Sequence, residues 1–248
     1  MILGLDIGGA NIKVANATGQ AALTPFELWK NPSGLTDVLH QVIGSFATPD
    51  LLAVTMTGEL CDCFETKREG VLAILDCVSQ TAGSTPILIW RNDGRFVDLA
   101  TARKDPLPIA SANWLALATF AGRFTPQGSS LLIDVGSTTT DIIPIINGIP
   151  VPKGRTDAER LETGELLYTG VRRTPVCALL NGMGAAELFA TTLDAYLLLD
   201  LLPENPTDHG TADGRPATKK QAHARMARMI GGDQETTPLE ETIHLAQR

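Results

Sequence analysis

No run of the chain reaches the ~20 uninterrupted apolar residues that a membrane span requires. The two richest stretches, 131–151 and 193–202, are broken by Asp134, Asp141 and Asp200. The chain opens directly on an apolar run, with no basic leader ahead of it, so the expected compartment is the cytoplasm and no membrane partner is expected. Basic residues are in deficit: 20 Lys and Arg against 28 Asp and Glu give a net charge of −8. That balance argues against a nucleic-acid partner, which calls for a basic face. Cysteine is scarce, and Cys61 and Cys63 form a Cys-x-Cys with no second pair, so neither a zinc knuckle nor a disulfide framework is indicated. The four histidines, His40, His209, His223 and His244, make no spaced pair, which leaves a histidine metal site and a histidine-based triad unsupported. Chemistry is left to carboxylates, hydroxyls, glycines and arginines.

At 248 residues the chain can build one large domain or two small ones, given ~100–200 residues per domain. Residues 2–15 read as a strand, a glycine turn and a returning strand. Leu35, Val38, Leu39, Val42, Ile43 and Phe46 repeat with the spacing of an amphipathic helix, with Ser33 placed to cap it. A strand over 51–57, a helix opened by Thr66 and Glu69 at capping-box spacing, a strand over 86–90 and a helix over 111–122 come next. At Ser130 the opening pattern returns: an apolar run, Asp134, a glycine turn, then a strand over 140–146 and an Asn147-Gly148 hairpin signal. Asp6 and Asp134 stand at equivalent points of this repeat. The expectation is two α/β lobes, 1–125 and 126–248, each presenting a glycine turn to a shared cleft. Residues 203–216 read as loop and 219–230 as a helix.

The first turn is Asp6-Ile7-Gly8-Gly9-Ala10-Asn11-Ile12-Lys13. Glycines let backbone N–H groups approach an anion closely, forming an anion-binding nest. Gly8, Gly9, Asn11 and Lys13 are the phosphate-binding candidates, although strand alternation can point Lys13 away. Asp6 is the candidate ligand for a hydrated Mg²⁺, which binds through few carboxylates. A purely structural Gly-Gly hairpin reads equally well from this segment alone.

The second turn is Asp134-Val135-Gly136-Ser137-Thr138-Thr139-Thr140-Asp141. Four successive hydroxyls after a glycine, bracketed by carboxylates, suit phosphate oxygens and a metal better than packing. Gly136, Ser137, Thr138 and Thr139 are assigned to phosphate, Asp134 to metal and catalysis, and Asp141 to catalysis. Glu59 and Asp62, just past a strand end where α/β sheets bind ligands, are candidates for a general base and for a substrate amine contact, or are solvated loop carboxylates. Arg172 or Arg173 is suited to a bidentate phosphate or carboxylate contact, one of the pair rather than both. Trp114 reads as core.

These turns resemble the phosphate loops of the sugar kinase, chaperone and actin superfamily. The segments Met56-Thr57-Gly58-Glu59-Leu60, Ser111-Ala112-Asn113-Trp114, 163–175, 211–216 and Gly231-Gly232-Asp233 resemble, more narrowly, its hydantoinase/oxoprolinase-related group tied to tetrahydromethanopterin-linked one-carbon metabolism. The resemblance implies an actin-like ATPase fold of two ribonuclease-H-like lobes with a ligand cleft. It also implies alkyl transfer in methanofuran-type carrier biosynthesis: an aminomethylfuran-methyl diphosphate would lose pyrophosphate to the phenol of γ-glutamyltyramine, with Mg²⁺ as cofactor. Phosphoryl transfer from ATP and nucleotide-dependent sensing are the alternatives. The superfamily's late adenosine loop has no clear counterpart here, since Gly231-Gly232-Asp233 follows a helix. ATP is therefore the less expected ligand.

Overall fold

The computed structural model describes residues 1–248 as two compact units, one of residues 1–132 and 143–165, the other of 133–142 and 166–248. The first begins with β1 (Ile2–Ile7), β2 (Asn11–Asn16) and β3 (Ala21–Pro25), an antiparallel meander. Helix α1 (Leu35–Gly44) then leads to β4 (Leu51–Met56), which pairs parallel with β1, Leu3 beside Leu52. Helix α2 (Lys67–Ala82), β5 (Ile87–Trp90), β6 (Phe96–Asp98), α3 (Leu99–Lys104) and α4 (Asn113–Ala121) complete the run. The six strands form one mixed sheet in the order β3-β2-β1-β4-β5-β6.

Strand alternation decides which face is covered. Leu3, Leu5 and Ile7 join Ile12, Val14, Leu52, Val54 and Met56 in one core cluster with Leu39 of α1 and Val71, Ile74, Leu75 and Val78 of α2. Each such side chain contributes roughly 1.5–3 kcal/mol on full burial. The other face carries Gly4, Ala15, Ala53 and Thr55, with Asp6 opposite Lys13 in register. It forms the floor of a cavity of about 750 Å³ walled by Trp90, Phe96 and Phe120.

The capping of α1 differs from the sequence expectation. Its N-cap is Gly34, which makes no side-chain bond, and Asn31 caps a preceding 3-10 turn where Ser33 was expected to act. Thr66 does cap α2, accepting from Glu69 N, while the Glu69 carboxylate accepts from Glu65 N.

β7 (Ser129–Val135) and β8 (Thr140–Ile146) run through both units. Asn147 and Gly148 both hold positive φ and turn the chain into β9 (Ile149–Pro150), which pairs with β8. Gly122, at the end of α4, leaves no room for a side chain: a Cβ there would lie 2.0 Å from Gly148 O. Helix α5 (Asp157–Thr163) opens on a full capping box from Thr156 and Glu159. Trp114 is buried in the cluster around Trp90 and Leu115, as expected, with the Arg160 guanidinium 4.0 Å over its ring.

In the second unit β10 (Leu166–Leu167) pairs with β8, giving the sheet order β10-β8-β7. Helices α6 (Val176–Leu179), α7 (Thr192–Leu198), α8 (Lys219–Met229) and α9 (Leu239–Ala246) complete it. Leu193, Leu197, Met226 and Met229 pack in one core. Beside it Arg225 is fully buried, donating through Nε to Asp194 at 2.8 Å and through Nη1 to Asp213 at 2.9 Å. No helix is long and apolar enough to cross a membrane.

Candidate active site

The two glycine turns close in the same way. Gly8 N donates to Asn11 O at 3.0 Å, and Gly136 N donates to Thr139 O at 2.8 Å. Each turn comes after a strand that ends one residue past its aspartate, so the sequence repeat is also a repeat of local structure.

Around the first turn the chain crowds closely. Thr57 N donates to Ile7 O at 2.9 Å, bringing the end of β4 against the end of β1. A Cβ on Gly58 would meet the Gly8 carbonyl at 3.3 Å, and one on Gly9 would meet Cys61 Sγ at 2.7 Å. Leu28 N donates to Gly9 O at 2.9 Å from the other side. The structure thus brings Gly8 and Gly9 together with the 3-10 turn Gly58–Leu60 that carries Glu59.

Glu59 is 1% exposed. Its Oε1 accepts from Ser111 Oγ at 2.7 Å, and its Oε2 has no hydrogen-bond partner. Gly70 of α2 packs directly on its backbone, since a Cβ there would lie 2.3 Å from Glu59 O. Burial raises the Glu59 carboxyl above its ordinary value, only partly offset by the Ser111 hydrogen bond. A buried carboxyl shifted in this direction beside a glycine turn is a candidate functional group. Asp62, by contrast, is exposed just past the turn.

Asp6 and Lys13 occupy each other, Nζ to Oδ2 at 3.0 Å, on the open sheet face. Lys13 therefore serves Asp6 in this structure, the outcome that strand alternation allows. Asp6 Oδ1 is buried without a donor. One unpartnered carboxylate oxygen fits a cation that keeps most of its waters, and no group of three or more metal-ligating side chains forms a cage.

The second turn is held from behind. Val171 N donates to Gly136 O, and Arg172 N and Arg173 N both donate to Ser137 O, at 3.0, 3.1 and 2.8 Å. Thr140 Oγ1 donates to Thr169 O at 2.6 Å, and Thr192 Oγ1 to Gly170 O at 2.7 Å. Ser137 and Asp134 are exposed, and Thr138 and Thr139 half-buried, so these groups remain open to a ligand. Asp141 pairs through its backbone with Leu166 of β10.

The two arginines diverge. Arg172 Nη2 lies 2.7 and 2.6 Å from the two oxygens of Asp208 and 3.2 Å from Gly210 O. Burial pushes the Asp208 carboxyl up, but the hydrogen bonds from Arg172 and Gly210 N, with the arginine charge, outweigh it and hold it below its ordinary value. The Arg172 guanidinium is thus engaged by Asp208, whereas the Arg173 side chain is exposed.

Two features escaped the sequence reading. Ser111 lay in a recognised segment, yet nothing in the sequence linked it to Glu59, 52 residues away. The Arg225, Asp194 and Asp213 cluster gave no spacing signal, because its members come from three separate segments.

The hydantoinase/oxoprolinase family model matches residues 50–244. A (4-{4-[2-(gamma-L-glutamylamino)ethyl]phenoxymethyl}furan-2-yl)methanamine synthase from Methanocaldococcus jannaschii is 36% identical over 100% of this chain and 77% of its own length. A protein of the same name from Methanococcus vannielii is 39% identical over 47% of this chain and 55% of its own. Among solved structures, the Aquifex aeolicus Ppx/GppA phosphatase aligns at 11% identity and TM-score 0.40, covering 84% of this chain and 65% of that one. An archaeal actin homolog in complex with ADP aligns at 16% and 0.38, covering 100% and 82%.

Proposed function

This chain belongs to the hydantoinase/oxoprolinase family, and on that premise we propose that it is a transferase forming an aryl ether. It joins an aminomethylfuran-methyl diphosphate to the phenol of γ-glutamyltyramine and releases pyrophosphate, as a step of methanofuran-type carrier biosynthesis in the cytoplasm. The observation that carries this reading is the 36% identity spanning the whole chain with a synthase whose name describes that ether. The geometry supports it independently, through a glycine turn packed against a buried carboxyl.

Bond changes balance without a redox partner. The methylene C–O bond to diphosphate breaks, its electron pair leaving with pyrophosphate. The phenol oxygen forms the new C–O bond, and its proton goes to a base. An electron-rich furan stabilises positive charge on the methylene, so the protein chiefly positions and shields the two partners. The backbone amides at Gly8-Gly9 in the first unit, and those at Gly136-Ser137 with the hydroxyls of Thr138 and Thr139 in the second, are each suited to phosphate oxygens and to stabilising the charge that develops on them. Asp6 in the first unit and Asp134 in the second are each suited to hold Mg²⁺, which when bound would neutralise diphosphate and improve it as a leaving group. Glu59 accepts the phenolic proton at Oε2. That oxygen is closed to solvent here, so the acceptor reaches it only as the covering side chains move aside, with Ser111 keeping its hold on Oε1. Asp62 and Arg173 are assigned to the polar ends of the substrates, the amine and the glutamyl carboxylate.

Calorimetric titration distinguishes this from ATP chemistry. Mg-pyrophosphate is expected to bind at least tenfold more tightly than Mg-ATP, and Asp134→Ala to weaken pyrophosphate binding by a similar factor. Tighter binding of ATP would turn the assignment to phosphoryl transfer.

A further inference from the structure

We propose that Ser111 is a positioning residue for Glu59: its hydroxyl fixes the rotation of the carboxyl group and leaves Oε2 as the oxygen that takes the proton. The inference rests on Glu59 being the base of the proposed reaction.

Ser111 occupies an unusual place. It holds φ at +48°, in the left-handed region that residues other than glycine adopt infrequently. Residues kept in such conformations concentrate at functional sites, because the surrounding structure has to enforce them. The neighbouring helix gives no reason for a hydroxyl here. α4 begins at Asn113 with Ala112 as its N-cap and no side-chain cap bond. Ala110 and Ala112 on either side are buried and apolar. The strained backbone instead delivers Ser111 Oγ to Glu59 Oε1 at 2.7 Å.

Every other charged group facing Glu59 acts at longer range. Lys67 on α2 and Asp157 on α5 pair with each other at 3.1 Å, so their fields on the carboxyl oppose one another. Besides the backbone amide of Glu59 itself, Ser111 is the group that hydrogen-bonds this carboxyl. A carboxylate with one oxygen anchored and the other unpartnered is oriented for proton transfer before substrate arrives, and orientation is the first requirement of a general base. A purely architectural buried glutamic acid would be better served by partners on both oxygens.

Two substitutions test this, because one of them cannot fail through backbone strain. Ser111→Ala removes the hydroxyl and keeps the strained φ, whereas Ser111→Gly removes the hydroxyl and relieves it. Carboxyl-carbon NMR titration of the full chain, which needs no substrate, should show the Glu59 transition moving to higher pH in both variants. With the furan diphosphate and γ-glutamyltyramine, kcat/KM should fall about tenfold in both, the order expected for losing one hydrogen bond to a charged group. The acid limb of the pH profile should move upward by the same amount as the NMR transition, with KM for the diphosphate unchanged. An unmoved Glu59 titration, or an unmoved pH profile while Glu59→Gln abolishes turnover, overturns the role of Ser111. Wild-type turnover by Glu59→Gln overturns the proposal through its premise, the assignment of the base.

Discussion

Removing a carboxyl group from water disfavours its charged form, and Glu59 carries that cost at a single residue. Its folded-state pKa lies above the ordinary 4.5 because of burial. The folded protein therefore holds this proton to higher pH than the unfolded chain does. The stability associated with Glu59 is complete below its ordinary pKa and is lost as pH rises through the raised value. Glu59→Gln, which keeps the shape and removes the titration, is expected to raise Tm at mildly alkaline pH by about 2–4 °C while greatly reducing turnover. Thermal scans across pH check it, and a lower Tm in the variant at alkaline pH would show that the ionised carboxylate stabilises the fold. Sequence reading could place Glu59 at a strand end but could not tell a buried acid from a solvated one. That difference is made by Gly70 and Ser111, which reach it from distant segments. Lys13 was legible only as an alternative: period-two alternation sets it across from Asp6, and the register confirms the pairing.

Among the elements, those with local signals were read most closely. β1, β2, β4 and α2 arise from strand alternation, the Gly-Gly turn and the Thr66 cap, all encoded within a few residues. β10 is two residues long, and nothing in Leu166-Leu167 announces a strand; its existence depends on β8 lying beside it. The second glycine turn was visible in Gly136-Ser137-Thr138-Thr139, but its support was not. Gly170 lies so close that a Cβ would fall 2.6 Å from the backbone of Ser137 and Thr138. Gly170→Ala should therefore displace that turn, costing about 1–3 kcal/mol and weakening pyrophosphate binding. Gly44→Ala at the end of α1, where a Cβ meets nothing within 4 Å, should be neutral or slightly stabilising. Denaturant melts of the two variants give the comparison, and equal stabilities would remove Gly170 from the account.

For the molecule as a whole, the internal repeat was the strongest message in the sequence. The repeat that relates Asp6 to Asp134 reappears as two turns closed by the same glycine-to-carbonyl bond. The division into compact units was less legible, because β7 and β8 pass from one unit into the other and a sequence pattern carries no mark of such a passage. The reaction class rests on similarity across the full chain together with these turns. Its most direct test is turnover by the purified protein with Mg²⁺, the aminomethylfuran-methyl diphosphate and γ-glutamyltyramine, read by mass spectrometry for the ether and by a coupled assay for pyrophosphate. Ether and pyrophosphate are expected in equal amounts without added nucleotide, both greatly reduced in Glu59→Gln. Pyrophosphate without ether, or ether formation only when ATP is supplied, would contradict it.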